Sequence, residues 1–143
     1  VTVHPGCLCG ETPLVARQLA DYIDRTAPPG IHIWGGETSV NLPARPGTGG
    51  RNQQLALQVA QRLAGNDSFC FVSAGTDGID GHSEDAGAIV DGGTLMRGEA
   101  EGLDIEDSLA RADSNPFLAA SCDLIHLGAT GTNVMDLMLA WKA

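Results

Sequence analysis

Glycine falls in clusters along this chain, and the clusters close short apolar runs. Of 143 residues, 19 are glycine. Gly35-Gly36 follows Ile31-His32-Ile33-Trp34, Gly75 and Gly78 follow Ser68 to Ala74, and Gly128 and Gly131 follow Asp123 to Leu127. A residue that reaches positive φ and lets backbones approach closely is thus concentrated where strands hand over to loops. Stretches of helical period lie between these runs. In residues 11–27, Leu14, Leu19, Tyr22 and Ile23 approximate one apolar stripe, stopped by Pro28-Pro29-Gly30. From Gly50 to Ala64, Leu55, Val59 and Leu63 recur every fourth residue, and Gly65-Asn66-Asp67 ends the pattern. Further helices are expected at about 93–101, 104–112 and 115–121. Val134 to Trp141 suits a closing strand or a closing helix.

Strands alternating with helices predict an α/β fold: a layered α/β/α domain with a mixed, mostly parallel sheet. Ser68 to Ala74 is almost continuously apolar, the pattern of a strand buried on both faces. The length fits one domain over 1–143, with 1–30 as a helical lead-in and 31–143 as the core.

The formal charge of −10 argues against nucleic acid or an anionic membrane as partner. Lys142 is the single lysine, so a bound anion must be met by arginine, by backbone N–H groups or by a metal on carboxylates. Cys70 reads as a buried thiol in an apolar run. Cys7-Leu8-Cys9 lacks the second ligand pair of a structural zinc site. There is no signal peptide and no apolar run of membrane-spanning length, so a reduced, cytoplasmic setting is expected.

In open α/β sheets, ligands sit at the carboxyl ends of strands. The loops 35–38, 75–85 and 128–133 share that position with the helix start at 49–52. Gly47-Thr48-Gly49-Gly50-Arg51-Asn52 feeds a helix N-terminus, where free N–H groups favour an anion and Arg51 adds a charged fork. It is neither a Walker A motif nor a dinucleotide fingerprint. Asp77 and Asp80, in the acidic loop after the apolar strand, suit Mg²⁺ or the orientation of a nucleophile. The same residues equally suit an Asp-Gly turn series. Thr130, Thr132 and Asn133 suit a phosphate or hydroxyl, and Glu37 suits a substrate hydroxyl or a turn. His32 reads as a packed strand histidine, and His82 as a minor acid–base candidate.

Five motifs occur in order: Gly35-Gly36-Glu37-Thr38, Gly49-Gly50-Arg51-Asn52-Gln53, Ser73 to Gly81, Ala86 to Gly92 and Thr130-Gly131-Thr132-Asn133-Val134. Together they resemble the C-terminal, MOFRL-type domain of the glycerate 2-kinase family, also labelled hydroxypyruvate reductase. The resemblance implies ATP- and Mg²⁺-dependent phosphorylation of D-glycerate in a cleft between two domains. It implies that Arg51, Asp77 and Asn133 are catalytic. Glu37, Gly49, Gly50, Asn52, Thr130 and Thr132 would bind substrate or phosphate, and Asp77 and Asp80 are the metal candidates. A lysine-bearing N-terminal kinase domain would be a missing partner, and a homo-oligomer stays open. The chain departs from the family pattern at Ala112, Ala129, Met135 and His82. Two other readings stand beside this one: a free-standing, non-catalytic binding module, and a hydroxypyruvate reductase, for which no dinucleotide fingerprint is present.

Overall fold

The first residues form a strand where a helical lead-in is expected. The computed structural model describes residues 1–143, and β1 (Thr2–Glu11) lies parallel to β2 (Gly30–Ser39). The periodic stripe supplies the crossover between them, as α1 (Thr12–Asp21) and a π-helical turn (Tyr22–Thr26). Pro13 sits in the first turn of α1, where its missing N–H removes no helix bond. β2 runs straight through Gly35-Gly36, so residues 35–38 are strand and not loop. After α2 (Arg51–Arg62) come β3 (Phe69–Gly75) and β4 (Gly87–Asp91). Three short helices follow, α3 (Thr94–Ala100), α4 (Ile105–Ala110) and α5 (Ser114–Ala120). The chain closes with β5 (Leu124–Ile125) and β6 (Asp136–Lys142).

The fold is α/β on a six-stranded mixed sheet of order β1-β2-β6-β3-β4-β5. The expectation of mostly parallel pairing is corrected: β1–β2 is the parallel ladder, and the four other ladders are antiparallel. The reason is β6. The open choice at 134–141 resolves as a strand that inserts antiparallel between β2 and β3, setting Ile33 against Leu139 and Val72 against Leu139. The segment 123–127, expected as a buried strand, forms only the two-residue edge β5.

The second helical layer is also corrected. Strand burial alternates: in β3, Phe69, Phe71 and Ser73 are buried while Cys70, Val72 and Ala74 are half-buried. One 21-residue cluster gathers the buried face of the sheet with α1, α2 and α5. The helices therefore lie on one face, and the domain has two layers. α2 is the central helix, with Leu55, Ala56, Leu57, Val59 and Ala60 all inaccessible. Its alanines meet the small face of α1, where Ala16 and Ala20 are buried.

His32 is packed, as its strand position predicts. Its Nε2 donates to Pro28 O at 2.9 Å, so Nδ1 is left to accept from Tyr22 Oη at 3.2 Å. His4 stacks on Trp34 at 4.4 Å between ring centroids. Burial, reinforced by neighbouring His32, holds the His4 pKa below the ordinary histidine value. A depressed histidine stabilises the fold above the unfolded value near 6.5, and that contribution is lost as the pH falls through the folded pKa. Thermal unfolding between pH 8 and pH 5 should show stability falling on acidification, with a shallower fall for His4→Phe.

Candidate functional site

The strand directions bring four segments to one end of the sheet. These are the end of β2, the β3–β4 loop, the β5–β6 loop with the start of β6, and the N-terminus of α2. Glycines let them touch. A Cβ on Gly50 would overlap the Asp80 carboxyl group, and one on Gly81 would overlap Gly49 O.

Asp80, at 2% exposure, fills the place expected for an external anion. Its Oδ2 accepts from Gln53 N at 2.9 Å, and its Oδ1 accepts from Asn52 N at 3.1 Å and Asn52 Nδ2 at 3.2 Å. The N-terminus of α2 is thus capped from inside the chain. The Asn52 side-chain oxygen accepts from Ser73 Oγ at 2.6 Å, so this side chain is held on both of its polar atoms. Both Asp80 oxygens face α2, which takes Asp80 away from the metal role considered for it. No cluster of three or more His, Cys, Asp or Glu side chains stands ready to hold a metal. Burial pushes the Asp80 carboxyl up, against the pull of its three hydrogen bonds.

Arg51 opens α2 and is gripped by two acids. Its Nε and Nη2 donate to Asp136 Oδ2 and Oδ1 at 2.6 and 3.1 Å, and its Nη1 meets Glu37 Oε1 at 3.0 Å. The Asp136 hydrogen bonds raise the guanidinium pKa against desolvation. Asp136 has a side-chain exposure of 1%, whereas Arg51 keeps 39%. Asp136 is the functional-site residue that sequence reasoning missed. The available signal was an acid opening an otherwise apolar run, Asp136 to Trp141. Glu37 completes the arginine clamp and also lines the cavity beside it.

A cavity of about 570 Å³ opens beside this clamp, within the size range of small-molecule sites. Glu37, Gly49, Gly50 and Arg51 line it, with His82 and the disulfide-bonded pair Cys7–Cys9.

Asp77, Thr130, Thr132 and Asn133 lie on two loops stapled together. Thr76 N and Oγ1 both donate to Met135 O, at 3.1 and 2.7 Å, and Thr130 N donates to Asp77 O at 3.1 Å. Asp77 Oδ1 accepts from Ile79 N and Asn133 Oδ1 from Met135 N, each at 3.1 Å, so both residues shape their own turns. Thr130 Oγ1 accepts from Thr132 N at 3.3 Å, and Thr132 is exposed. These four residues do not line the cavity, although Met135 does. Gly75, the last residue of β3, lies between Asp77 and Asp136. A Cβ there would stand 3.0 Å from Asp77 Oδ1 and 3.7 Å from Asp136 Oδ1. Asp77 and Asp136 thus both approach Gly75.

Gly78 holds φ +89°, and an added Cβ would strike the carbonyl of Gly128. Backbone on both sides cannot yield, so Gly78→Ala should separate the loops and cost about 2 kcal/mol. Urea unfolding of the variant measures that loss.

Residues 30–136 match the profile of the MOFRL family. The chain is 46% identical over 111 residues to D-glycerate 2-kinase of Thermotoga maritima, an alignment covering 78% of this chain and 26% of that protein. It is 47% identical over 142 residues to glycerate kinase of Homo sapiens, covering 92% of this chain and 27% of that protein. Its fold is similar to the crystal structure of glycerate kinase from Thermotoga maritima, with a TM-score of 0.91 and 38% identity. That match covers 99% of this chain and 36% of the other. The chain thus spans between a quarter and two-fifths of the length of these relatives.

Proposed function

We propose that this chain, which belongs to the MOFRL family, is the C-terminal domain of a glycerate 2-kinase-type enzyme and supplies half of an interdomain site for phosphoryl transfer from ATP to D-glycerate. The observation that carries the reading is the clamp of Arg51 by Asp136 and Glu37 beside an open cavity, at the end of the sheet where the loops of Asp77 and Asn133 are stapled together. Phosphoryl transfer asks a protein mainly for positioning and charge. Arg51, held rigid by Asp136 and Glu37, presents its exposed edge to the anion. Asp77 orients the attacking hydroxyl or holds Mg²⁺. Asn133, Thr130 and Thr132 position the substrate.

Mg²⁺ commonly binds through one or two carboxylates together with substrate phosphates, and Asp77 fits that role without a full protein cage. Bound there, the ion would neutralise phosphate charge. Lys142 lies at the far end of β6 and donates to Asp24 O, so the chain's single lysine is away from the cavity, and on this reading the lysine that meets the phosphates belongs to the other domain. This reading places the enzyme in the cytoplasm, a setting compatible with the absence of any helix long and apolar enough to cross a membrane.

The test incubates the purified chain with ATP, Mg²⁺ and D-glycerate. Negligible turnover is expected from the chain alone, and turnover from the polypeptide encoded by the complete reading frame. Robust phosphorylation by the 143-residue chain alone would sink the half-site reading.

A further inference from the structure

Cys7 and Cys9 stand two positions apart in β1 and are joined by a disulfide, with their Cα atoms 5.7 Å apart. Alternation along a strand puts both side chains on one face. A disulfide stabilises a fold mainly by closing a loop, and the gain shrinks with the loop. This one closes over Leu8 alone. The β1–β2 ladder already holds the same stretch, pairing Cys7 with Gly35, Leu8 with Gly36 and Cys9 with Glu37. The bond therefore adds little to the architecture, and its position points to another use. Both cysteines are exposed on the outermost strand of the sheet, and both line the cavity that Arg51 and Glu37 also line. Cys9 stands opposite Glu37, which meets Arg51 at 3.0 Å. The other two cysteines lack these conditions. Cys70 is half-buried, and burial pushes its thiol pKa up, away from the reactive thiolate. Cys122 is exposed but has no disulfide partner.

We infer that Cys7 and Cys9 form a reversible thiol–disulfide modification site in the cavity wall, exchanging with low-molecular-weight thiols and disulfides. Exposed disulfides are the labile class. In reduction, the thiolate of a small thiol attacks the sulfur of one cysteine. The Cys7–Cys9 bond breaks, a mixed disulfide forms, and the other cysteine leaves as a thiolate that takes a proton from water. A second small thiolate then attacks the small-molecule sulfur of the mixed disulfide. That step forms the small-molecule disulfide and releases the second cysteine, which is protonated in turn. Two electrons thus pass from two small thiols to the cysteine pair. Oxidation runs the same steps backwards, and its closing step is intramolecular, because the displacing thiol is two residues away. Reduction leaves two thiols where one disulfide stood, in the wall shared with the Glu37–Arg51 pair, so the redox state of the pair alters the cavity lining.

Equilibrating the 143-residue chain at stepped ratios of reduced to oxidised glutathione tests the site, with acid quench, maleimide alkylation and peptide mass analysis. The peptide carrying Cys7 and Cys9 should pass from two maleimide adducts to none in one two-electron transition, its reduced-to-oxidised ratio changing tenfold per about 30 mV. Unfolding in urea should weaken the disulfide about tenfold and so raise the midpoint by about 30 mV, because the strand holds the two Cα atoms within the span of a disulfide. Cys9→Ser should leave Cys7 with a lasting glutathione adduct, because the thiol that displaces it is gone. A pair that stays disulfide-bonded in excess reduced glutathione overturns the inference. So does a pair that takes one glutathione on each sulfur and never closes. A midpoint that urea leaves unchanged also overturns it, since the behaviour would then belong to any Cys-x-Cys peptide and not to β1.

Discussion

Asp80→Ala is expected to destabilise the chain by about 3 kcal/mol, seen as a drop in the urea midpoint without a change of slope. The carboxylate takes two backbone N–H groups of α2 and the amide of Asn52, all at a buried site. Loss of a helix cap alone costs about 1 kcal/mol, and each buried donor left unpaired adds a desolvation penalty of about 1–3 kcal/mol. These terms overlap, because the three donors share one acceptor group and water can enter the space vacated, so the sum stays well below simple addition. Asp80→Asn keeps one acceptor oxygen but turns an amide N–H₂ toward the Gln53 N–H. It should lose less than alanine and more than nothing.

The same pair of variants carries a pH signature. Burial raises the Asp80 pKa, so the folded protein holds this proton at higher pH than the unfolded chain does. For a raised carboxyl, stability falls as the pH rises through the folded pKa, the reverse of an ordinary paired acid. Asp80→Asn removes that slope. A variant whose stability keeps the wild-type pH dependence would locate the titration elsewhere.

Local pattern carried much of this molecule and non-local pairing carried the rest. The stripe at Leu55, Val59 and Leu63 marks α2, and the apolar run before Gly75 marks β3, because both patterns are contained in a few turns or residues. Arg51, Asp77 and Asn133 were legible as loop residues next to such elements. The structure brings Asp77 and Asp136 both close to Gly75, and sets Asn133 on a loop stapled to that of Asp77. What could not be read was who meets whom across the sheet. Asp136 contacts Arg51 from 85 positions away, through the insertion of β6 between β2 and β3. The acid loop and the helix start were both visible, yet nothing local says that Asp80 reaches α2 and takes the anion position there. β1 was missed because Pro5, Gly6 and Gly10 interrupt its pattern; the register with β2 shifts between Val3 and Cys7. The expected third layer failed for a physical reason. An apolar strand reports that both faces want cover, and it does not report which polypeptide provides it.

Arg51→Met should separate the structural and functional duties of the clamp. Structurally, it strands the carboxylate of Asp136, whose side-chain exposure is 1%. Removing one member of a fully buried pair costs about 3–5 kcal/mol, but Arg51 is 39% exposed, so solvent screening reduces the expected loss to about 2 kcal/mol. Adding Asp136→Asn removes the uncompensated charge. The double variant should therefore be more stable than Arg51→Met alone, and a double variant as weak as the sum of the two singles would deny that charge pairing is what Asp136 supplies. Function should not follow stability. If Arg51 carries phosphate charge as proposed, the complete polypeptide should lose on the order of 10³-fold in glycerate phosphorylation in both the single and the double variant. Asp136→Asn alone should fall between, because the guanidinium remains but loses its charged anchor. Recovery of stability without recovery of rate is the outcome that assigns Arg51 to the chemistry and Asp136 to its positioning.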